Sequence, residues 1–430
     1  MQPLQALVVA QLAVILAMGL LAAATVDIFS DKGFGDEPSH VAYVQTVAED
    51  QRLPVLDRDK VSREVSALQT GRDPDVGAPP LPGLRGEQYE AFQPPLYYVI
   101  AAPVFLVSDD WFMRVRLLRA LGVFLLMLAA FVLYHLTRHA LPDAHLIAFS
   151  AALTVLMWPG VLVMSATVSN ASLEILVVCA LVYALWRADS ETSARWLLLA
   201  ATALGLGILT KFTVAALAPL LIVVAVRYVA RSTTERRWLV GAAAAAIPVL
   251  LVLPWLLYNL DHYDALTPYE LAKQVQAPAM NPGGLDYGFS RFWSGLPDLF
   301  AGFYPLEWLF KGPARPPVLG FLFEFVKAAV FGLPVLLLLI EPRWLRTRHT
   351  WLLLTPFVLG VGTLAYITVI EDWPLTIPRF LYPALPALAV FAGVSWVRLF
   401  RLPRAPAMIA LACSCVSAVA WADGIGRYLV

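Results

Sequence analysis

The stretch LLLAATALGLGILTKFTVAALAPLLIVVAV, residues 197–226, is apolar except for Thr202, Thr210, Lys211 and Thr213, and its division decides the topology of the whole chain. A single helix would place the Lys211 ammonium in mid-bilayer, at a cost of about 2.5–3.5 kcal/mol or more. Two shorter helices turning at LTKFT bring Lys211 to a membrane face. The arginines choose between the two. With two helices, the loops carrying Arg138, Arg187 and Arg195, Arg227 to Arg237, Arg343 to Arg348, and Arg398 to Arg404 fall on one side, as the positive-inside rule requires of cytoplasmic loops. One long helix scatters them to both.

A transmembrane helix needs about 20 apolar residues, and on that rule spans are expected near 4–26, 117–137, 145–166, 170–186, 196–210, 212–226, 238–258, 318–340, 351–370, 379–397 and 406–427. The expected fold is therefore an all-α polytopic membrane bundle of about eleven helices, one domain over residues 1–430, with the first helix retained. Composition agrees: 60% of the 430 residues are hydrophobic and 14% charged, with a mean hydropathy of +0.70, against about 25% charged in soluble domains. Lysine plus arginine and aspartate plus glutamate both total 31, so no basic excess points to nucleic acid as partner. Cys179, Cys413 and Cys415 all lie in apolar runs and read as small core residues.

Two large loops then face outward, residues 27–116 and 259–317. The first opens with a short amphipathic helix over 37–51, with Pro38 in its first turn and Val41, Val44, Val47 and Ala48 at helical spacing. It is expected to lie on the membrane surface, apolar side down. Residues 57–90 are rich in Pro, Gly and alternating charge and predict an irregular or mobile loop. AFQPPLYYVIAAPVFL, residues 91–106, predicts a second interfacial or re-entrant element. The second loop mixes aromatics with amides and acids, so Trp293 and Trp308 either stack on sugar or form an interfacial belt.

Seven segments, in order, resemble the C-type glycosyltransferases, integral membrane enzymes that use polyprenyl-phosphate sugars, in particular family 39 mannosyltransferases and the aminoarabinose transferases of lipid A. They are GDEPSHVAYVQ (35–45), QPPLYYVIAAP (93–103), RVRLLRALGVF (114–124), SNASLEILVV (169–178), GILTKFTVAALAPLL (207–221), PWLLYNLDHYDALTP (254–268) and PRFLYPALPALAV (378–390). The chain departs from those relatives in following its Asp-Glu pair with Pro-Ser-His. The resemblance implies an inverting transferase in the plasma membrane, with its cavity on the extracytoplasmic face, moving a sugar from a polyprenyl-phosphate donor to a glycan or lipid acceptor. A transporter or flippase of lipid-linked glycans, or a non-enzymatic assembly subunit, is the alternative.

Such a reaction needs a base near the acceptor hydroxyl and positive groups near the departing phosphate. The resemblance points to Asp36 as base, with Glu37 orienting the acceptor or binding a metal. The alternative is that both acids interact with the dipole of the helix they begin. Glu37 and His40 stand in Glu-x-x-His spacing, which metal ligands use on helices. They are candidates for a divalent cation (Mg, Mn or Zn), with His262 as a further ligand. Arg114, Arg116 and Arg119 run against the cytoplasmic bias of the other arginines. Arg116 and Arg119, expected on one face, are candidate donor-phosphate ligands, with snorkelling to headgroups as the alternative. Lys211 and Arg379 are the other candidates for the phosphate. Tyr43, Gln93, Tyr97, Glu174 and Asn259, with Asn170, are candidates for lining the cavity; hydrogen bonding between helices is the alternative for Glu174 and Asn170.

Overall fold

The computed structural model describes residues 2–25, 36–276, 328–341, 350–370, 382–400 and 405–429, with 290, 292, 326 and 343 singly. Among these the protein is helical, and its one β contact is an isolated antiparallel bridge between Lys60 and Glu87. In chain order the helices are α1 (Gln2–Thr25), α2 (Glu37–Glu49), α3 (Arg63–Gln69), α4 (Leu96–Phe105), α5 (Trp111–Ala140), α6 (His145–Leu156), α7 (Pro159–Ser165) and α8 (Ala171–Glu191). They continue with α9 (Ala194–Thr210), α10 (Ala218–Arg231), α11 (Arg237–Tyr263), α12 (Tyr269–Gln276), α13 (Leu333–Ile340), α14 (Thr350–Ala365), α15 (Leu385–Leu399) and α16 (Ala405–Leu429).

Seven of the described helices are long and apolar enough to cross a membrane: Leu4–Ala24, Trp111–Ala140, Ala171–Glu191, Phe212–Arg231, Arg237–Tyr263, Trp351–Val369 and Tyr382–Leu399. Shorter apolar helices fall on other expected spans. The chain is a multi-pass membrane protein. The division at Lys211 is as the charge pattern required: α9 stops at Thr210, Lys211 is extended (φ −158°, ψ 127°), and a 3-10 turn over Phe212–Leu217 leads into α10.

α8 packs between α5 and α9, α9 lies against α11, and α6 is held by α5 and α15. Glycine permits two close approaches. A Cβ on Gly122 of α5 would stand 2.1 Å from the Ser165 carbonyl oxygen, and one on Gly393 of α15 would stand 2.6 Å from Ala148 Cα. Polar side chains inside the bundle are mutually bonded. Gln11 Nε2 donates to Ser414 Oγ at 2.7 Å and Ser150 Oγ donates to Gln11 Oε1 at 2.7 Å.

A second core gathers at one end of the bundle, where Val41, Val44, Tyr97, Phe105, Val115, Leu118 and Leu173 pack together. It corrects the expected placement of α2. That helix does form, but Val41, Ala42, Tyr43 and Val44 are 0–3% exposed, and its neighbour is α4. Its apolar side is therefore covered by protein. The region 57–90 is also ordered more than its composition predicts. Ser62 caps α3, its Oγ accepting from Val65 N at 3.2 Å, Lys60 Nζ donates to Glu87 Oε1 at 2.6 Å, and Val61, Val65 and Leu68 enter the second core. Alternating charges that look solvated along the sequence are partners across the loop.

Candidate active site

The segment between α1 and α5 meets the ends of α5, α8 and α9 at this second core, and it reaches α11 where Leu56 N donates to the Tyr263 hydroxyl at 3.0 Å. Pro38 in the first turn and the apolar face of α2 direct its start inward. Glu37 is 1% exposed. Its Oε1 accepts from Arg119 Nε at 2.8 Å and from Val168 N at 2.8 Å, and its Oε2 accepts from Arg119 Nη2 at 2.6 Å. This fork-to-fork pair is the geometry in which arginine binds a carboxylate most strongly. Arg119 is fully buried.

Asp36, one residue earlier and partly exposed, behaves differently. It occupies the N-cap position of α2, yet its side chain makes no capping hydrogen bond. The carboxylate turns instead to the Tyr89 hydroxyl, which donates to Oδ1 at 2.9 Å. Helical capping of α2 by hydrogen bond therefore does not account for this acid.

Next to it stands an aromatic stack. Tyr43 and Tyr98 lie ring on ring, 3.6 Å between centroids and 5° from parallel, with Tyr97 edge-on to Tyr98 at 5.4 Å. His40 Nδ1 lies 2.8 Å from the Tyr98 hydroxyl oxygen. Burial pushes the Tyr43 and Tyr98 hydroxyls well above the usual phenol range, and the nearby Glu90 carboxylate adds to this at Tyr98. Both are neutral donors at any physiological pH. Tyr43 donates to the Gln93 carbonyl at 3.2 Å, while Gln93 Oε1 accepts from Asn170 Nδ2 at 3.2 Å, which also reaches the Thr210 carbonyl. A polar path thus links α2, the approach to α4, the start of α8 and the end of α9.

One turn into α8, Glu174 is fully buried; its Oε2 accepts from Lys211 Nζ at 2.8 Å and its Oε1 from Thr213 Oγ1 at 3.2 Å. Lys211 and Glu174, both expected at the cavity, are therefore an ion pair. Arg114 pairs with Glu49 at 2.9 Å and lies over the Phe105 ring, 4.5 Å from its centroid. Arg116 is exposed. Arg116 and Arg119, three residues apart and about 60° around the helix, differ in burial, Arg116 exposed and Arg119 enclosed, so the edge of the protein interior passes between them. Asn259 donates to the Leu266 carbonyl at 2.9 Å, closing the turn after α11. Arg379, Trp293 and Trp308 lie outside the described residues.

The expected cation ligands do not converge. Glu37 is engaged by Arg119 and Val168, His40 by Tyr98, and His262 is exposed with Nδ1 3.0 Å from its own helix carbonyl at Tyr258. Among the described residues no group of three or more His, Cys, Asp or Glu side chains could hold a metal ion. The donor set described here does not fit one. Sequence reading missed Tyr89, Tyr98 and the Val168 amide. Tyr98 adjoins Tyr97 in the quoted motif, whereas nothing in the local pattern marks Tyr89 or Val168.

The fold matches solved structures. The chain superposes on ArnT from Cupriavidus metallidurans bound to undecaprenyl phosphate with a TM-score of 0.52 at 14% identity, covering 94% of this chain and 62% of that one. For ArnT in the apo state the TM-score is 0.53 at 15% identity, covering 91% and 60%. This is a C-type glycosyltransferase fold. A family model described as dolichyl-phosphate-mannose-protein mannosyltransferase matches residues 92–258. The matched segment runs from the turn before α4 to near the end of α11 and contains Arg119, Glu174 and Lys211. The chain spans about three fifths of the length of the ArnT structures, and no curated protein matches it.

Proposed function

We propose that this C-type fold serves as an inverting glycosyltransferase, moving a sugar from a polyprenyl-phosphate donor to a lipid or polysaccharide acceptor at the extracytoplasmic face of the plasma membrane. The observation that carries the reading is the Asp36 carboxylate. It is held by Tyr89 away from the role of helix cap, at the end of the bundle opposite the arginine-rich loops, in a fold whose solved example binds undecaprenyl phosphate. The positive-inside rule makes that end extracytoplasmic.

In this reading the Asp36 carboxylate takes the proton of an acceptor hydroxyl as its oxygen attacks the anomeric carbon. The bond from that carbon to the phosphate oxygen breaks, and polyprenyl phosphate leaves. A single displacement with one base inverts the centre; retention would call for a second, nucleophilic carboxylate. Positive charge near the departing phosphate lowers the barrier, and exposed Arg116 and the Lys211 ammonium are the described candidates to supply it. Tyr43, Gln93 and Asn170 would shape the acceptor side. The test gives purified protein a panel of radiolabelled polyprenyl-phosphate sugars with membrane lipid extract. Transfer by the wild type, reduced at least about 10²-fold in Asp36→Asn, supports the reading; equal transfer by the variant removes Asp36 from the mechanism. Movement of lipid-linked glycan across reconstituted vesicles without a new glycosidic bond would favour a flippase.

A further inference from the structure

We infer that Glu37 is a positioning residue for this reaction, clamped by Arg119 and the Val168 amide so as to fix the Asp36 carboxylate, and that Arg119 is its counter-ion and not a ligand of the donor phosphate. The inference rests on the glycosyltransferase reading. Three hydrogen bonds converge on one carboxylate from two separate parts of the chain: two from α5 and one from the segment that enters α8. Both side chains are inside the protein, Arg119 at 0% and Glu37 at 1% exposure. A guanidinium so placed has spent its fork on Glu37 and would have to break a buried charge pair to meet a phosphate.

Position in sequence gives the clamp its consequence. Glu37 is the first residue of α2 and Asp36 its N-cap. A backbone fixed at Glu37 by two other elements leaves Asp36 only its own side-chain torsions, and Tyr89 limits those. His40, one turn on, is held to Tyr98, and Ser39 Oγ donates to Gln88 Oε1 at 2.7 Å while accepting from Glu90 N at 3.2 Å. The first turn of α2 is thus pinned on both sides of the acid that would serve as base. Displacing a catalytic group by about 1 Å costs up to 10²-fold in rate, so anchoring of this kind acts on turnover and leaves donor affinity nearly unchanged.

The experiment measures kcat, donor KM and Tm for Glu37→Gln, Arg119→Gln and the double variant, in nanodiscs, with the donor that the wild type uses. Each single change should lower kcat roughly 10- to 100-fold with donor KM within about threefold of wild type. The double variant should be no worse than the poorer single, because the two residues act as one unit. Arg119→Lys, which keeps charge but offers no fork, should fall between wild type and Arg119→Gln in kcat, and it serves if the glutamine variants do not fold. A donor KM raised tenfold or more by Arg119→Gln or Arg119→Lys with kcat retained would make Arg119 a phosphate ligand and overturn the inference, as would additive losses in the double variant. If the wild type transfers sugar from no donor in the panel, the glycosyltransferase reading itself fails and the positioning role falls with it. A Tm coupling between residues 37 and 119 would then identify the pair as structural alone.

Discussion

Replacing Lys211 by methionine removes an ammonium that is 7% exposed and leaves the Glu174 carboxylate, 0% exposed, with Thr213 as its described hydrogen-bond donor. Breaking a buried ion pair from one side costs about 3–5 kcal/mol, because the surviving charge stays desolvated, whereas replacing both partners by apolar groups of similar volume is close to neutral. Glu174→Gln should be milder than Lys211→Met, since the amide oxygen can still accept from Lys211, and about 2–3 kcal/mol is expected where a charged acceptor becomes neutral. The double variant Lys211→Met with Glu174→Leu should recover most of the loss. At roughly 2 °C per kcal/mol for a large domain, Lys211→Met should lower Tm by about 6–10 °C and the double variant by less than about 3 °C. Tryptophan fluorescence in nanodiscs at one scan rate reads the order directly. Raising salt should leave that order unchanged, because a buried pair is little screened. A Tm for Lys211→Met within 1 °C of wild type, or losses that simply add in the double variant, would refute the argument that these charges depend on each other.

Two further outcomes follow from the same end of the bundle. Arg116 is exposed at the start of α5, so Arg116→Ala should leave Tm unchanged and raise donor KM several-fold; unchanged KM would assign it to lipid headgroups. Tyr43 and Tyr98 have hydroxyl pKa values pushed up by burial, so their neutral forms stabilise the fold fully below the unfolded value near pH 10, and that contribution is lost as pH rises through the folded values. Tyrosinate absorbance at 295 nm should show no less ionisation below pH 11 in Tyr43→Phe than in wild type, and loss of one tyrosine's worth of signal there would contradict the burial argument.

Much of the fold was legible because bilayer thickness and charge asymmetry act on composition, which a sequence displays. The turn at Lys211 follows from those two constraints, and the short helix after the first span follows from the helical spacing of its valines and from Pro38 in its first turn. The folding of residues 57–90 was not legible, since Lys60 meets Glu87 across the loop and a polar segment with matched partners looks the same in sequence as one that is solvated. Pairings between distant elements were hidden for a related reason. Glu37 and Arg119 are 82 residues apart, and helical spacing relates a residue to neighbours on its own helix only.

Six charged candidate positions, Asp36, Glu37, Arg116, Arg119, Glu174 and Lys211, separate into two kinds. Arg119 and Lys211 each have a buried carboxylate partner supplied by another of the nominated residues, Glu37 and Glu174, while Asp36 and Arg116 retain contact with the surface. A group that must exchange partners during a reaction has to reach both solvent-borne substrate and protein, and a desolvated ion pair resists that exchange by several kcal/mol. Under the proposed glycosyltransferase reading, the partly exposed acid and the exposed guanidinium are therefore the groups that reach substrate without first breaking a buried pair. The two buried pairs hold together the helices that bring them to one end of the bundle, and Lys211 could take part in phosphate binding only where the donor's own negative charge replaces Glu174 as its partner. The double variant that removes Lys211 and Glu174 together separates these roles: a folded protein with normal donor KM makes the pair structural, and a raised KM makes Lys211 a ligand.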